Sequence, residues 1–181
     1  MEKLKYVKFE KMSLKDNPEF NERLKIKLDK NSISLAGEFY VLAQLYLRGF
    51  VANLTLGKQK EVDILVLYPE TGRQTKLQVK TTVKSKPVRK VRGESGEKFE
   101  WIMNKKHEDM KKNLYYCFLL IEDEKKLPKF FIVPSKEVAK YVKREHKIYL
   151  QMRKIKFSSN MRKFRVKVEG SNYKDNWQIL K

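Results

Sequence analysis

EVDILVLYPETGRQTKLQVKTTV, residues 61–83, reads as two strands joined by a turn. The first half, EVDILVLYP, is apolar on both faces, as expected of a central strand covered on two sides. PETGRQ is the turn, where Gly72 is free to take positive φ, and KLQVKTTV is the returning strand. A turn centred between Thr71 and Gly72 sets Asp63 directly opposite Lys80, on one face of the hairpin. Gln78, two residues before Lys80, shares that face, while Leu77 and Val79 point to the other.

Upstream, a helix is expected from Ser34, a plausible N-cap, to Arg48, with Gly49 supplying the left-handed residue at its end. On a helical wheel Leu35, Phe39, Leu42, Leu45 and Tyr46 share one arc, and Glu38 falls inside it. Gly37, Gln44 and Arg48 form the remaining, exposed edge. A carboxylate on the core face of an apolar helix is unfavourable by several kcal/mol if unpaired, so Glu38 should face a cation or a metal.

Glu38, Asp63 and Gln78 offer hard oxygen donors of the kind that Mg²⁺ or Mn²⁺ prefers, and such an ion can polarise a phosphate and activate water. Lys80 would orient or deprotonate that water and offset charge developing on phosphorus. The plainer alternative is a cross-strand Asp63–Lys80 ion pair, with Glu38 satisfied by a neighbouring lysine.

Working outward, FVANLT is a short strand and GKQKE a polar turn. Residues 83–98 form a basic loop without apolar periodicity. YYCFLLIED and KFFIVPS are two further buried strands, followed by a helix from Ser135 to about His146. KFRVKVEG suggests one late strand, and Trp177 an aromatic anchor near the C-terminus. Tyr115, Phe118, Phe130 and Tyr149 are expected in the core. Residues 1–30, with a weak strand around Lys5 to Phe9, are an N-terminal extension to a single domain that spans 1–181. No repeat or linker divides the chain.

Forty-two Lys and Arg against 22 Asp and Glu give a formal charge of +20, an excess that calls for a polyanion. Nucleic acid is preferred to a membrane, because no stretch approaches the roughly 18 apolar residues of a spanning helix and the basic residues do not line one amphipathic helix. Lys58, Lys60, Lys84, Lys86, Arg89, Lys90 and Arg92 lie on the two loops at the site's end of the hairpin, where they could contact phosphates. The lone Cys117, in an apolar run, and the lack of a secretory signal favour a cytoplasmic protein. With only His107 and His146 available, zinc sites and histidine triads are poorly supported, and neither histidine is given a role.

Val62-Asp63 followed by Gln78-Val79-Lys80 resembles the PD-(D/E)xK nuclease superfamily, whose signature is an acid on one strand and an acid-x-Lys on the next. GEFYVLAQLYLRGF, VDILV and LQVKTT together resemble the branch with a helix glutamate, as in archaeal Holliday-junction resolvases and Mrr-type restriction enzymes. The resemblance implies an α/β, restriction-endonuclease-like mixed β-sheet flanked by helices. It also implies a catalytic cluster of Glu38, Asp63, Gln78 and Lys80, with Mg²⁺ (or Mn²⁺) held by Glu38, Asp63, Gln78 and the backbone of Val79. Two positions depart from the signature: Val62 replaces a proline, and Gln78 replaces the second acid.

The expected activity is metal-dependent hydrolysis of double-stranded or branched DNA, with a homodimer supplying two sites for two strands. The alternative, favoured by Gln78, is a nucleic-acid-binding protein that kept the fold and lost the chemistry.

Overall fold

Asp29, rather than Ser34, starts the helix that carries Glu38: its carboxylate accepts the backbone N–H groups of Asn31 and Ser32 at 2.8 and 3.0 Å. Ser34 lies inside α1 (Lys30–Tyr46), one turn before Glu38. The chain leaves α1 through Gly49 at φ 79°, as the sequence suggested. The computed structural model describes residues 29–55, 61–83, 98–122, 126–153 and 159–181. The strand expected near Lys5 to Phe9 and the basic residues Lys58, Lys60, Lys84, Lys86, Arg89, Lys90 and Arg92 lie outside them.

Five strands, β1 (Val51–Leu54), β2 (Ile64–Tyr68), β3 (Arg73–Val83), β5 (Leu114–Ile121) and β6 (Lys129–Pro134), form one sheet in the order β1-β2-β3-β5-β6. β3 and β5 run parallel and the other neighbours antiparallel, so the sheet is mixed. A second sheet pairs β4 (Lys98–Asn104) with β7 (Met161–Lys167). The sequence reading missed β4, although Phe99, Trp101 and Met103 alternate with more exposed residues at the period of two that marks a half-buried strand.

α1 and the short 3₁₀ helix η2 (Trp177–Leu180) cover one face of the main sheet, through Val41, Leu45, Trp177 and Leu180 against Leu77, Val79, Cys117 and Ile132. α2 (Ser135–Arg153), β4 and β7 cover the β5–β6 half of the other face, against Tyr116, Phe118, Phe131 and Val133. The expected α/β class, a mixed sheet flanked by helices, is the one adopted. Trp177 is the buried anchor expected of it, in tilted contact with Phe130 at 5.4 Å between ring centroids. Cys117 is buried too, and burial pushes its thiol far above the usual range.

Four expectations need correction. The wheel arc of α1 was read from the largest apolar side chains, but Leu35 and Phe39 are 49% and 52% exposed and Tyr46 is exposed as well. The buried face is instead Gly37, Val41, Gln44 and Leu45, because the helix approaches the sheet through its smallest residue. A Cβ added at Gly37 would stand 1.8 Å from the Thr81 Oγ1.

β2 is covered on one side only, leaving Leu65 48% exposed. α2 runs seven residues past His146, to Arg153. Of the four aromatics assigned to the core, Phe118 and Phe130 are fully buried and Tyr115 packs at the margin, whereas Tyr149 is exposed beside His146.

Candidate active site

The hairpin turns one residue earlier than the sequence suggested. Tyr68 pairs with Arg73 across the four residues Pro69 to Gly72, which gives Ile64 opposite Leu77 as the last pair. Lys80 is therefore not opposite Asp63, as the later turn had implied. Asp63 sits at a bend just before β2, beside the Leu77–Val79 segment of β3. Its N–H donates to the Leu77 carbonyl at 2.8 Å, and its carbonyl accepts from the Thr55 N–H at 3.0 Å. The β2–β3 ladder ends there, and the carboxylate takes the place of the missing strand by accepting the Val79 N–H at 2.7 Å.

At this opening, charges carried on opposite faces of the sheet act on one another. Gly37 rests on Thr81, so α1 brings Glu38 to the Leu77–Val79–Thr81 face. Gln78 and Lys80 alternate to the other face, beside Tyr116 and Phe118 of β5. A continuous ladder would separate Glu38 from Lys80. Instead Glu38, Asp63 and Lys80 act on one another electrostatically, with Asp63 in the gap between them. Alternation also turns the Val79 carbonyl toward the same opening as its N–H.

All three charges are disfavoured. Burial, and then repulsion by Asp63, raise the Glu38 carboxyl above its ordinary value; the Ser34 hydroxyl at 3.5 Å and Lys80 oppose that only in part. Burial raises the Asp63 carboxyl and outweighs the Val79 N–H and the Lys80 charge. Burial lowers Lys80 and outweighs its attraction to Asp63.

Two desolvated carboxylates that repel each other define a place where a cation would be welcome. Gln78, 5% exposed, lies on the strand between Leu77 and Val79 with an amide oxygen as its only acceptor. Among the described residues no three His, Cys, Asp or Glu side chains gather, so a cation here would draw on amide and backbone oxygens as well as the two acids.

The sequence reading missed a second wall. A one-turn 3₁₀ helix, η1 (Lys105–Glu108), follows β4 and is fixed at both ends. Asn104 caps it, accepting the Lys106 N–H at 3.2 Å while donating its own N–H to the His107 Nδ1 at 3.0 Å. The His107 ring is buried against Tyr116, 5.8 Å between centroids, and burial holds it down to about 4, so it is neutral at physiological pH. Glu108 pairs with the buried Arg162 of β7.

η1 thereby sets Lys106 within electrostatic reach of both Asp63 and Lys80, and 3.9 Å from Glu61, which also pairs with Lys111. Asn-x-x-His around an N-terminus was the legible signal, because a side chain at the third helical position commonly closes such a cap.

The raised Asp63 pKa gives a testable sign. Folded protein holds the Asp63 proton more tightly than unfolded chain, so this group's penalty is present above the raised folded value and vanishes below the ordinary carboxylate range. Asp63→Asn keeps an acceptor for the Val79 N–H and removes the charge. It is expected to melt above wild type at neutral pH, with the gap closing on acidification through that window. A pH series of thermal melts checks it; a gap unchanged by pH would contradict the assignment.

No protein-family model and no curated protein sequence matches the chain. Among solved structures, that of a bacterial homing endonuclease, I-Ssp6803I, is similar at 12% identity over 83% of this chain and 90% of that one, with a TM-score of 0.47. Among the described residues no helix is long and apolar enough to cross a membrane.

Proposed function

We propose that the protein is a metal-dependent endonuclease of the PD-(D/E)xK type, acting on double-stranded or branched DNA. The carrying observation is the break in the β2–β3 ladder, where the Asp63 carboxylate caps Val79 and is within electrostatic reach of both Glu38 and Lys80. Glu38, Asp63, the Gln78 amide oxygen and the Val79 carbonyl would hold Mg²⁺ (or Mn²⁺), with the two carboxylates providing the charge. Bound there, the ion would supply Lewis-acid polarisation of the scissile phosphate.

The chain's own groups supply the rest. Lys80, its ammonium disfavoured by burial, is in the neutral amine form more often than an ordinary lysine, and in that form it would accept a hydrogen bond from the attacking water and take its proton. Asp63 is held by the Val79 N–H, so the acceptor oxygens keep one orientation through the reaction. The excess of basic residues attracts the phosphate backbone without reading sequence.

The test is incubation of purified protein with plasmid, synthetic four-way junction and single-stranded DNA in Mg²⁺ or Mn²⁺, with an EDTA control. Metal-dependent products are expected from at least one duplex or branched form. Absence of products from every form would leave the alternative, a binding protein in which Gln78 has ended catalysis.

Metal occupancy has its own readout: at ten times its Kd a bound ion stabilises by about 1.4 kcal/mol. Wild type is then expected to melt about 3–5 °C higher. Asp63→Asn should show no such shift.

A further inference from the structure

Building on the nucleic-acid reading of the site, we propose that Lys106 is a second phosphate-contacting residue, held over Asp63 by Glu61 until the DNA backbone takes that carboxylate's place. Three features of η1 point there. The turn is immobilised by the Asn104 cap, the buried His107 and the Glu108–Arg162 pair, so a side chain mounted on it has a fixed base. Lys105 adds a backbone bond, its N–H reaching the Asn160 carbonyl at 2.8 Å.

His107 packs on Tyr116, the register neighbour of Gln78, which places the turn over the face of β3 that carries Gln78 and Lys80. From that base the Lys106 ammonium stands 3.9 Å from Glu61, two residues before Asp63.

The Glu61 contact has the properties of an exchangeable latch. Both side chains are about two-fifths exposed, and ion pairs of that kind contribute little to stability. Glu61 also pairs with Lys111, so its charge remains matched when Lys106 leaves.

Lys106 and Lys80 repel each other, each a cation beside the same Asp63. A phosphate oxygen between them relieves that repulsion, whereas a purely structural lysine would gain more by turning outward. Lys80 faces the reacting water; Lys106 is placed to take a non-bridging or neighbouring phosphate oxygen.

Binding of a fluorescent duplex in EDTA, followed by anisotropy over a salt series, tests this without cleavage. Lys106→Ala is expected to weaken binding about ten-fold and to reduce the steepness of the log Kd against log salt plot by about one. Lys106→Arg should restore both, and Glu61→Gln should tighten binding about three-fold by releasing the latch. Lys129→Ala, which breaks a comparable ion pair with Glu122 on the sheet's edge strand, should leave the slope unchanged.

Thermal melts check that each variant folds, and Lys106→Gln serves as a second neutral variant with a longer side chain. A Lys106→Ala slope equal to wild type, or Glu61→Gln binding no tighter, would overturn the proposal. Binding that depends on Lys106 in a protein that cuts nothing would sink the nuclease reading and leave this one standing. Metal-dependent cleavage with a slope indifferent to Lys106 would do the reverse.

Discussion

Cleavage is expected to fall by about 10³-fold or more in Asp63→Ala and in Lys80→Ala, a loss of about 4 kcal/mol of transition-state stabilisation. The two substitutions remove different things. Asp63→Ala removes a carboxylate at the ladder break and leaves the Val79 N–H without its acceptor, so Asp63→Asn is the cleaner partner: it keeps the hydrogen bond and loses the charge. Lys80→Ala removes the nitrogen that, in the proposed mechanism, would take the proton from water.

Lys80→Arg is not expected to rescue, because a guanidinium does not give up its proton and remains charged where burial disfavours charge. Duplex binding in EDTA should survive in all four variants within a few-fold, since most of the excess positive charge that attracts the backbone is untouched. Initial rates on whichever DNA form wild type cuts, with melts to confirm folding, give the comparison. Undiminished cleavage in folded Asp63→Asn would remove the catalytic assignment.

The second large effect is at Gly37, which carries no chemistry. An alanine Cβ there would lie 1.8 Å from the Thr81 Oγ1, and 3.0 and 3.1 Å from the Thr81 Cβ and Cγ2, so α1 or β3 has to move. Gly37→Val is expected to destabilise by about 3 kcal/mol from overpacking. That corresponds to a melting point lower by about 6–12 °C.

Gly37→Ala should be milder, because alanine recovers about 1 kcal/mol of helix propensity. Both should lower cleavage, by up to about 10²-fold, since Glu38 is the next residue and moves with the helix. Thr81→Ala alone should be nearly neutral: the Thr81 hydroxyl is buried without a hydrogen-bond partner. Combined with Gly37→Ala it should recover most of the lost activity. If the double variant were as impaired as Gly37→Ala, the cause would not be the Gly37–Thr81 contact.

Gly37 also marks where the helical wheel misleads. Summing large apolar side chains put Leu35, Phe39 and Tyr46 inward and Gly37 and Gln44 outward, whereas the helix buries the latter pair. Hydrophobicity records which residues leave water readily, but how closely two elements approach is decided by the smallest side chain between them. Glu38 adjoins both the assumed face and the actual one, and it is close enough to Asp63 and Lys80 to be affected by their charges.

The sequence determined by itself what is local. Gly72 and the apolar runs on either side made the hairpin, Gly49 ended the helix, and Gln78 and Lys80 had to share a side of β3 because alternation along a strand admits no other outcome. The charge of +20 pointed to a polyanion before any contact was known.

Tertiary structure alone decided what depends on chain segments distant in sequence. The turn's position fixed where the β2–β3 ladder stops, and that stop, rather than a cross-strand pairing with Lys80, is what aims Asp63. The electrostatic influence of Lys80 on Glu38 crosses the sheet at that opening. Lys106 enters only because β4, the Asn104 cap and Arg162 on β7 carry η1 across to Glu61. Backbone propensities act over a few residues and can be read in order along the chain, but desolvated charges are positioned by packing among elements far apart in sequence, and no local pattern encodes that distance.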